Sequence, residues 1–583
     1  MVRRGPDDDG VWDDDEAGVH LAFRRLAIID LSEHGHQPMA GADGSVLVFN
    51  GELYGHQRLR RELEAHGAAF RGTSDTEVVL AALDRWGERA VDRFDGMFAL
   101  AWWHRPSRRL LLARDHAGIK PLFYGTGPAG RGVCFASQYD VVANGPWGVP
   151  PLDPGSLALY LELHHVPAPH GLLARTGQLE PGELAVVEDG RLTARRRWWT
   201  LPPATEAVTG EEAVDRVEAA LTSAVADQLV ADRPVGTFLS GGVDSALVTS
   251  VAADAVTEPL QSFTVSFPGA PSDEAEGATR FARAIGVDHH VLPLDDTGAE
   301  AAVAEAVEAM AEPVGDFSIV PTTLLTGFAA DRVTVALSGD GGDELFHGYE
   351  RPWSLLRSGA WFRAPRTVRR GRYYAGRALP RVVPPVSEAI TATSPGAYYR
   401  SVNSRSGALR HVLGPDLPAP PGLWWYETPT RLDRAGLVDL SRTAEYHGQL
   451  QRVLRKVDLA SMHHSLEVRV PVLSRAVVEL SGSVDADFCL RAGQRKGPLR
   501  DLLARRVPGV AQQQIKQGFT PPLNRWIDGP LRARIEAQMA EPSWHLDDHL
   551  DPGALRRLAD PATPARHWNL WTILALEWWL GRL

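Results

Sequence analysis

Val235-Gly236-Thr237-Phe238-Leu239-Ser240-Gly241-Gly242-Val243-Asp244-Ser245 is the stretch on which the reading of this 583-residue chain turns. Its first five residues form a short apolar run of the kind that fills a buried strand, and Ala246-Leu247-Val248 beyond it opens a helix. Glycines between strand and helix let backbone N–H groups come close to an anion, and the helix start adds the positive end of its dipole. Ser240, Gly241, Gly242 and Ser245 are therefore candidate phosphate-cradling residues. The Gly-Lys-Ser/Thr ending is missing, so the loop is not of the kinase type.

On either side of this stretch the texture is alternating helix and strand. Val214, Val217, Leu221, Val225 and Leu229 recur at helical spacing, and residues 262–267 and 333–337 read as further buried strands. Strands separated by helical segments imply an α/β doubly wound parallel sheet. The second of these strands runs into Ser338-Gly339-Asp340-Gly341-Gly342-Asp343-Glu344, which offers carboxylates beside backbone amides. Asp244 and Asp343 are hard oxygen ligands suited to holding Mg2+ beside a phosphate-cradling loop. Beyond about residue 350 the pattern is mainly helical and closes on an amphipathic helix carrying Leu570, Trp571, Leu574 and Trp578, whose aromatics read as core.

Residues 1–195 differ. Short alternating runs such as 45–49 and 110–113 end in Asn-Gly, Asp-Gly and glycine-rich turns, a helix covers 75–86, and residues 181–190 form a last hairpin. Trp198-Trp199 followed by Pro202-Pro203 marks a linker, so the expected division is 1–195 and 196–583.

The bulk numbers exclude more than they assign. A net charge of −12 disfavours a protein that coats nucleic acid or anionic lipid, since both need a large positive field. Arg363, Arg366, Arg369, Arg370, Arg372 and Arg377, interleaved with Tyr373 and Tyr374, form the one basic cluster and read as a solvated surface. Two cysteines, Cys134 and Cys489, make neither a disulfide framework nor a zinc site, which suits a reducing cytoplasm. No run has the apolar length of a membrane span. A cytoplasmic enzyme acting on small molecules, with no nucleic-acid or membrane partner, is expected; a homodimer stays open as its assembly.

The loop at 240–245 resembles the pyrophosphate-binding loop of ATP pyrophosphatases, and with the 338–344 motif it looks like the synthetase domain of the asparagine synthase family. Lys456-Val457-Asp458-Leu459-Ala460-Ser461-Met462, Glu467-Val468-Arg469-Val470-Pro471 and Lys516-Gln517-Gly518-Phe519, with Trp526 downstream, extend the match over most of 210–530. The resemblance implies that Leu239, Val265, Ser338 and Gly339 frame the adenine nucleotide. It likewise implies that Asp244 and Asp343 bind magnesium, and that Lys516 stabilises charge on the adenylating phosphate. Asp340 stands where many relatives carry a glutamate implicated in handling the acyl-adenylate, and its shorter reach is a departure. Ser474 stands where the family usually has Asp, which puts a local hydrogen bond in question. Lys456, on a helix face, reads as solvent-facing.

The first part resembles the glutaminase half of the same family, an α+β β-sandwich of the N-terminal nucleophile type. Arg4-Gly5-Pro6-Asp7, Arg24-Arg25-Leu26-Ala27-Ile28-Ile29-Asp30, Asn50-Gly51-Glu52-Leu53-Tyr54, Thr73-Ser74-Asp75-Thr76-Glu77 and the run from Ala113 to Pro121 fit in order. By that resemblance Arg25 pairs with a glutamine carboxylate and Asp75 with its ammonium, while Asn50 and the Gly51 N–H form an oxyanion hole. The family's nucleophile is an N-terminal cysteine, and this chain begins Met1-Val2 with no Cys before Cys134. The expectation is a reading frame that extends upstream, supplying the nucleophile and a core strand, and a 583-residue form that uses free ammonia. The implied reaction joins Mg-ATP, aspartate and ammonia to give asparagine, AMP and pyrophosphate. A lasso-peptide or β-lactam cyclase using an internal amine is the alternative within the fold, although β-lactam synthetases carry tyrosine where Asp340 stands. A tRNA-modifying ATP pyrophosphatase and a catalytically dead regulator are the rivals from other classes.

Overall fold

The computed structural model describes residues 1–365, 367–368, 392–404, 417–491, 494–510, 521–551, 553, 558 and 566–583. Lys516 with its motif, and the basic cluster apart from Arg363, lie outside the described residues.

The first part of the chain is antiparallel β. Strands β1 (Val46–Leu53), β2 (Gly96–His104), β3 (Arg109–Arg114) and β4 (Glu183–Glu188) run side by side in a six-stranded sheet edged by Arg191–Arg197 and Met39–Ala40. Successive side chains of a strand face opposite ways. Leu47 and Phe49 of β1 accordingly join the core beneath helix α1 (Asp75–Trp86), whereas Val46 and Val48 face a second core with Leu21, Leu122 and Leu179. Two-sided cover explains why β2 is buried along nearly its whole length.

After α2 (Gly210–Gln228) the chain builds a five-stranded, wholly parallel sheet from β5 (Val235–Phe238), β6 (Gln261–Ser266), β7 (Asp288–Pro293), β8 (Val335–Leu337) and β9 (Glu467–Arg469). Its order is β7-β6-β5-β8-β9. From β5 the chain first winds outward through β6 and β7, then returns to the other side of β5. The switch point therefore lies between β5 and β8, the crevice where open α/β sheets bind ligands at their carboxyl ends. Helix α3 (Val243–Ala255) follows β5; α4 (Leu450–His463), α5 (Gly497–Arg506) and α6 (Arg566–Leu580) belong to the helical remainder.

Three features differ from the sequence reading. Strands β7 and β9 are not legible as apolar runs: β7 is a half-exposed edge, and β9 is a Glu-Val-Arg triplet buried at all three positions. The closing helix α6 is not amphipathic in place, because Asn569, Thr572 and Glu577 are buried with its apolar residues. The Trp198-Trp199 segment is no loose linker. The Trp198 indole donates to the Arg114 carbonyl at 3.0 Å, and Trp199 packs in a core that holds Met97 and Ile119 together with Leu247 and Leu337.

Charge as well as apolar packing crosses between the two sheets. Arg469 of β9, 1% exposed, donates to Glu467 at 2.8 Å and to the carbonyls of Gln228 and Val230 at 2.8 and 2.7 Å, and lies 3.3 Å from Glu52 of β1. Lys120 approaches Glu467 at 3.7 Å, and Arg4 grips Asp458 of α4 with bonds of 2.7 and 3.1 Å. Removing one partner of a buried pair leaves an uncompensated charge at a cost of roughly 3–5 kcal/mol. Arg469→Met is therefore expected to lower stability by about that amount in urea unfolding, and a loss below about 1 kcal/mol would refute the role.

Buried imidazoles predict the acid response. Burial holds His165, His347 and His447 at a pKa of about 3, against 6.5 for an open histidine. Below pH 6.5 the unfolded chain takes up protons that the folded chain refuses until about pH 3, so stability is full above 6.5 and falls through that window. His447→Gln should flatten the decline between pH 7 and 5 relative to the parent, measured by urea midpoints; parallel curves would contradict it.

Candidate functional site

The loop after β5 is closed by its own hydroxyls. Ser240 N–H donates to Ser245 Oγ at 3.0 Å, the two hydroxyls lie 2.9 Å apart, and Gly242 N–H donates to Ser240 Oγ at 3.0 Å. Leu239 N–H donates to the Phe263 carbonyl at 3.0 Å, while the Thr264 hydroxyl donates to the Leu239 carbonyl, which brings Val265 alongside. Parallel pairing of Thr237 with Leu337 sets the 338–344 loop next to the 240–245 loop. The two backbones touch. A Cβ at Gly339 would stand 2.5 Å from Ser245 N and 2.9 Å from Asp244 Cβ, so only glycine fits there.

The synthetase-half residues expected to take part in nucleotide binding, metal binding or catalysis, apart from Lys516, line one cavity of about 650 Å³ at this switch point: Leu239, Ser240, Gly241, Gly242, Asp244, Ser245, Val265, Ser338, Gly339, Asp340 and Asp343. Asp340 is held by its own loop, accepting from the Ser338 hydroxyl at 2.6 Å while its N–H donates back at 3.3 Å. Behind it Glu344 is buried and accepts from the Tyr349 hydroxyl at 2.7 Å; burial, reinforced by the Asp343 charge, pushes its carboxyl up to about 8.

Sequence reasoning missed the group at the centre. The Lys496 ammonium, on a side chain 6% exposed, lies 2.7 Å from Asp343 Oδ1 and contacts Asp244 Oδ2. Burial disfavours the ammonium, but the two carboxylates overcome that and hold Lys496 above the ordinary lysine range. Both carboxylates thus converge on one cation-sized point. That donor set, two hard oxygen ligands beside a glycine-rich loop at a strand end, fits magnesium.

Asp316 lines the same cavity and is half-buried. Burial works against its charge, yet Arg452 at 3.5 Å, Lys456 and the Ser318 hydroxyl at 2.7 Å keep it well below the usual carboxylate range. Lys456 does not face solvent: it is half-buried, lines the cavity and donates to Ser318 Oγ at 3.2 Å. The hydrogen bond questioned at Ser474 is present, because its hydroxyl caps the helix Arg475–Ser481 by accepting from Val477 N–H at 3.4 Å.

In the first part of the chain Arg25, Asn50, Gly51 and Asp75, from separate segments, line one cavity of about 640 Å³ whose walls also carry Leu21, Val48 and Trp103. Their present partners are internal. Arg25 donates to the carbonyls of Ser32 at 3.0 Å, Ile29 at 3.3 Å and Asp30. Asn50 donates to Ser137 Oγ at 3.0 Å, and Asp75 accepts from Leu53 N–H at 2.8 Å while burial raises its carboxyl. Cys134 is half-buried and Cys489 buried, and burial raises both thiols, the reverse of what activates a nucleophile.

The family model described as Asparagine synthase matches residues 216–581, and the one described as Glutamine amidotransferase domain matches residues 1–199. The chain belongs to the asparagine synthase family. Membership makes it a ligase, built as a glutamine amidotransferase domain followed by an asparagine synthase domain. A Mycobacterium tuberculosis protein named "Putative asparagine synthetase (glutamine-hydrolyzing)" is 33% identical over 99% of this chain and 92% of its own length. The Bacillus subtilis protein named asparagine synthetase (glutamine-hydrolyzing) 1 is 30% identical with the same coverage. Amidase chyE of Penicillium rubens is 28% identical over 92% of this chain and 85% of its own. A solved Bacillus subtilis glutamine phosphoribosylpyrophosphate amidotransferase aligns with 47% of this chain and 51% of its own at 16% identity and a TM-score of 0.23, too slight a likeness to bear on either fold or function. Among the described residues no helix is long and apolar enough to cross a membrane.

Gly339→Ala is expected to abolish nucleotide binding while leaving the circular dichroism spectrum unchanged, because the added methyl separates the two loops rather than filling space. Parent-like ATP affinity by calorimetry would show that the loops need not touch.

Proposed function

We propose that the chain is an ATP-dependent amide-forming synthetase that adenylates aspartate and passes the acyl group to ammonia, giving asparagine, AMP and pyrophosphate. The observation that carries this reading is the convergence of the 240–245 and 338–344 loops on one cavity, with Asp244 and Asp343 aimed at a single cationic point.

Leu239 and Val265 flank the base, and the 240–245 loop holds the terminal phosphates by its backbone N–H groups. Magnesium, when bound by Asp244 and Asp343, neutralises charge on the leaving pyrophosphate. A carboxylate oxygen of the acid attacks the α-phosphorus; the bond from that phosphorus to the bridging oxygen breaks, and pyrophosphate leaves with the bonding pair. Lys516 is proposed to steady the charge on the α-phosphate oxygens at that moment, and Asp340, held by Ser338, to sit beside the acyl-phosphate. Ammonia then attacks the acyl carbon, the carbon–oxygen bond to phosphate breaks, AMP leaves, and the amine's extra proton is lost to a base.

The cavity lined by Arg25, Asn50, Gly51 and Asp75 is proposed as the glutamine site. This 583-residue polypeptide is proposed to draw on free ammonia, because burial raises the thiols of both its cysteines. The relatives named above are synthetases and an amidase, which lends the cyclase alternative no support.

Substrate-dependent exchange of labelled pyrophosphate into ATP, run with aspartate against a panel of other acids, tests the acid. Amide formation from ammonium chloride against glutamine tests the donor. Exchange with aspartate is expected, reduced roughly 10²–10³-fold in Asp244→Asn and Asp343→Asn, the loss typical of removing one group that stabilises developing charge. Exchange driven equally well by unrelated acids, or undiminished in both variants at saturating magnesium, would overturn the reading.

A further inference from the structure

We propose that Lys496 is the internal counter-ion of the Asp244–Asp343 pair, closing it to a bare divalent cation so that metal enters only together with a polyphosphate. The inference rests on the reading of these two carboxylates as the metal ligands.

Two half-buried carboxylates brought to one point repel, and a fold that brings them together is helped by a positive charge between them. Lys496 supplies it. The ammonium contacts both, at 2.7 Å from Asp343 Oδ1 and against Asp244 Oδ2, so it occupies the point at which one cation reaches both side chains. A magnesium ion, binding oxygens at about 2.0–2.1 Å, cannot share that point with an ammonium.

The lysine is held there from outside the two loops. Lys496 stands at the start of α5 with a left-handed backbone, φ 58° and ψ 45°, a conformation that side chains other than glycine rarely adopt. Arg506, at the far end of α5, donates to the Ser250 hydroxyl at 3.0 Å and to the Ser250 carbonyl at 3.1 Å, which anchors α5 on α3, the helix that carries Asp244. Gly348 leaves the room. A Cβ there would stand 1.9 Å from Asp343 Oδ1 and 2.3 Å from Lys496 Cε.

Charge arithmetic gives the coupling. Asp244, Asp343 and Lys496 together carry one negative charge, and the Arg500 guanidinium acts on both carboxylates as well, so a bare divalent cation would leave excess positive charge crowded into a half-buried space. A polyphosphate arriving with the metal reverses this, because its oxygens accept the ammonium as the metal takes the carboxylates. Metal and nucleotide therefore strengthen each other's binding reciprocally, by the same factor.

Manganese(II) is the probe, followed by electron paramagnetic resonance and calorimetry with and without α,β-methylene-ATP, an analogue that resists cleavage between the α and β phosphates. The parent is expected to bind Mn2+ weakly alone and roughly 5–150-fold more tightly with the analogue, the range of ordinary site–site coupling. Lys496→Met should bind Mn2+ tightly without nucleotide and lose most of the coupling, whereas Lys496→Arg, which keeps the charge, should stay coupled. If Lys496→Met folds only when Mn2+ is present, with a melting rise on metal addition that the parent lacks, the counter-ion role is equally supported. Tight Mn2+ binding by the nucleotide-free parent, abolished in Asp244→Asn, overturns the inference and leaves the metal site standing. Failure of Mn2+ to bind the parent even with the analogue overturns the inference and the metal assignment together.

Discussion

The guanidinium of Arg469 is the contact on which the arrangement of both halves depends. It sits on the edge strand of the parallel sheet, carries full charge at 1% exposure, and spends its donors on Glu467, on two carbonyls at the end of α2 and, across the boundary, toward Glu52. A buried cation is tolerated only where anions and carbonyls surround it. Glu52 comes from the sheet of the amidotransferase domain and adjoins Asn50 and Gly51, which line the first cavity. β9 pairs with β8, whose following loop lines the second cavity. One ion group thus touches the scaffolds of both sites.

Further hydrogen bonds cross the boundary. His116 contacts the Leu473 carbonyl at 3.0 Å, the Tyr446 hydroxyl donates to the His116 carbonyl at 3.0 Å, and Gln451 donates to the Ala117 carbonyl at 2.9 Å. The first uses the His116 ring, and the other two fix the His116 and Ala117 carbonyls. Buried carbonyls need such partners, and here the asparagine synthase domain provides them. Apolar residues of both halves merge into continuous cores, so the two sheets form one packed body.

At the synthetase cavity the same economy of charge appears on a smaller scale. Lys496 between Asp244 and Asp343, and Arg452 and Lys456 around Asp316, give each half-buried anion a cation from a segment remote in sequence. The loops supply geometry, and the later helices supply the countercharges. This division fits loops that are short and glycine-rich: close approach of backbones leaves no room for a side chain at Gly339.

What the sequence determined by itself was local. Strand–glycine–helix punctuation at 235–248 and the alternation before and after it specify a parallel sheet with a glycine loop at a strand end. Helical periodicity and caps place α1 at the residues read from sequence, because these signals lie within a few positions of one another. The residues expected at the nucleotide and the metal came from two loop motifs and from the family resemblance, and they line one cavity because they stand on or beside adjacent parallel strands. Tertiary structure alone decided the rest. β9 carries a glutamate and an arginine and shows no strand pattern until its ion partners from β1 and the 113–121 segment arrive. The burial of α6 follows from packing against elements hundreds of residues away. Lys496 is separated from Asp244 by 252 positions, and nothing in Gln494-Arg495-Lys496-Gly497 distinguishes a buried counter-ion from a surface lysine. A charge placed by long-range contacts leaves no local trace, since its stability comes from partners that only the folded chain assembles.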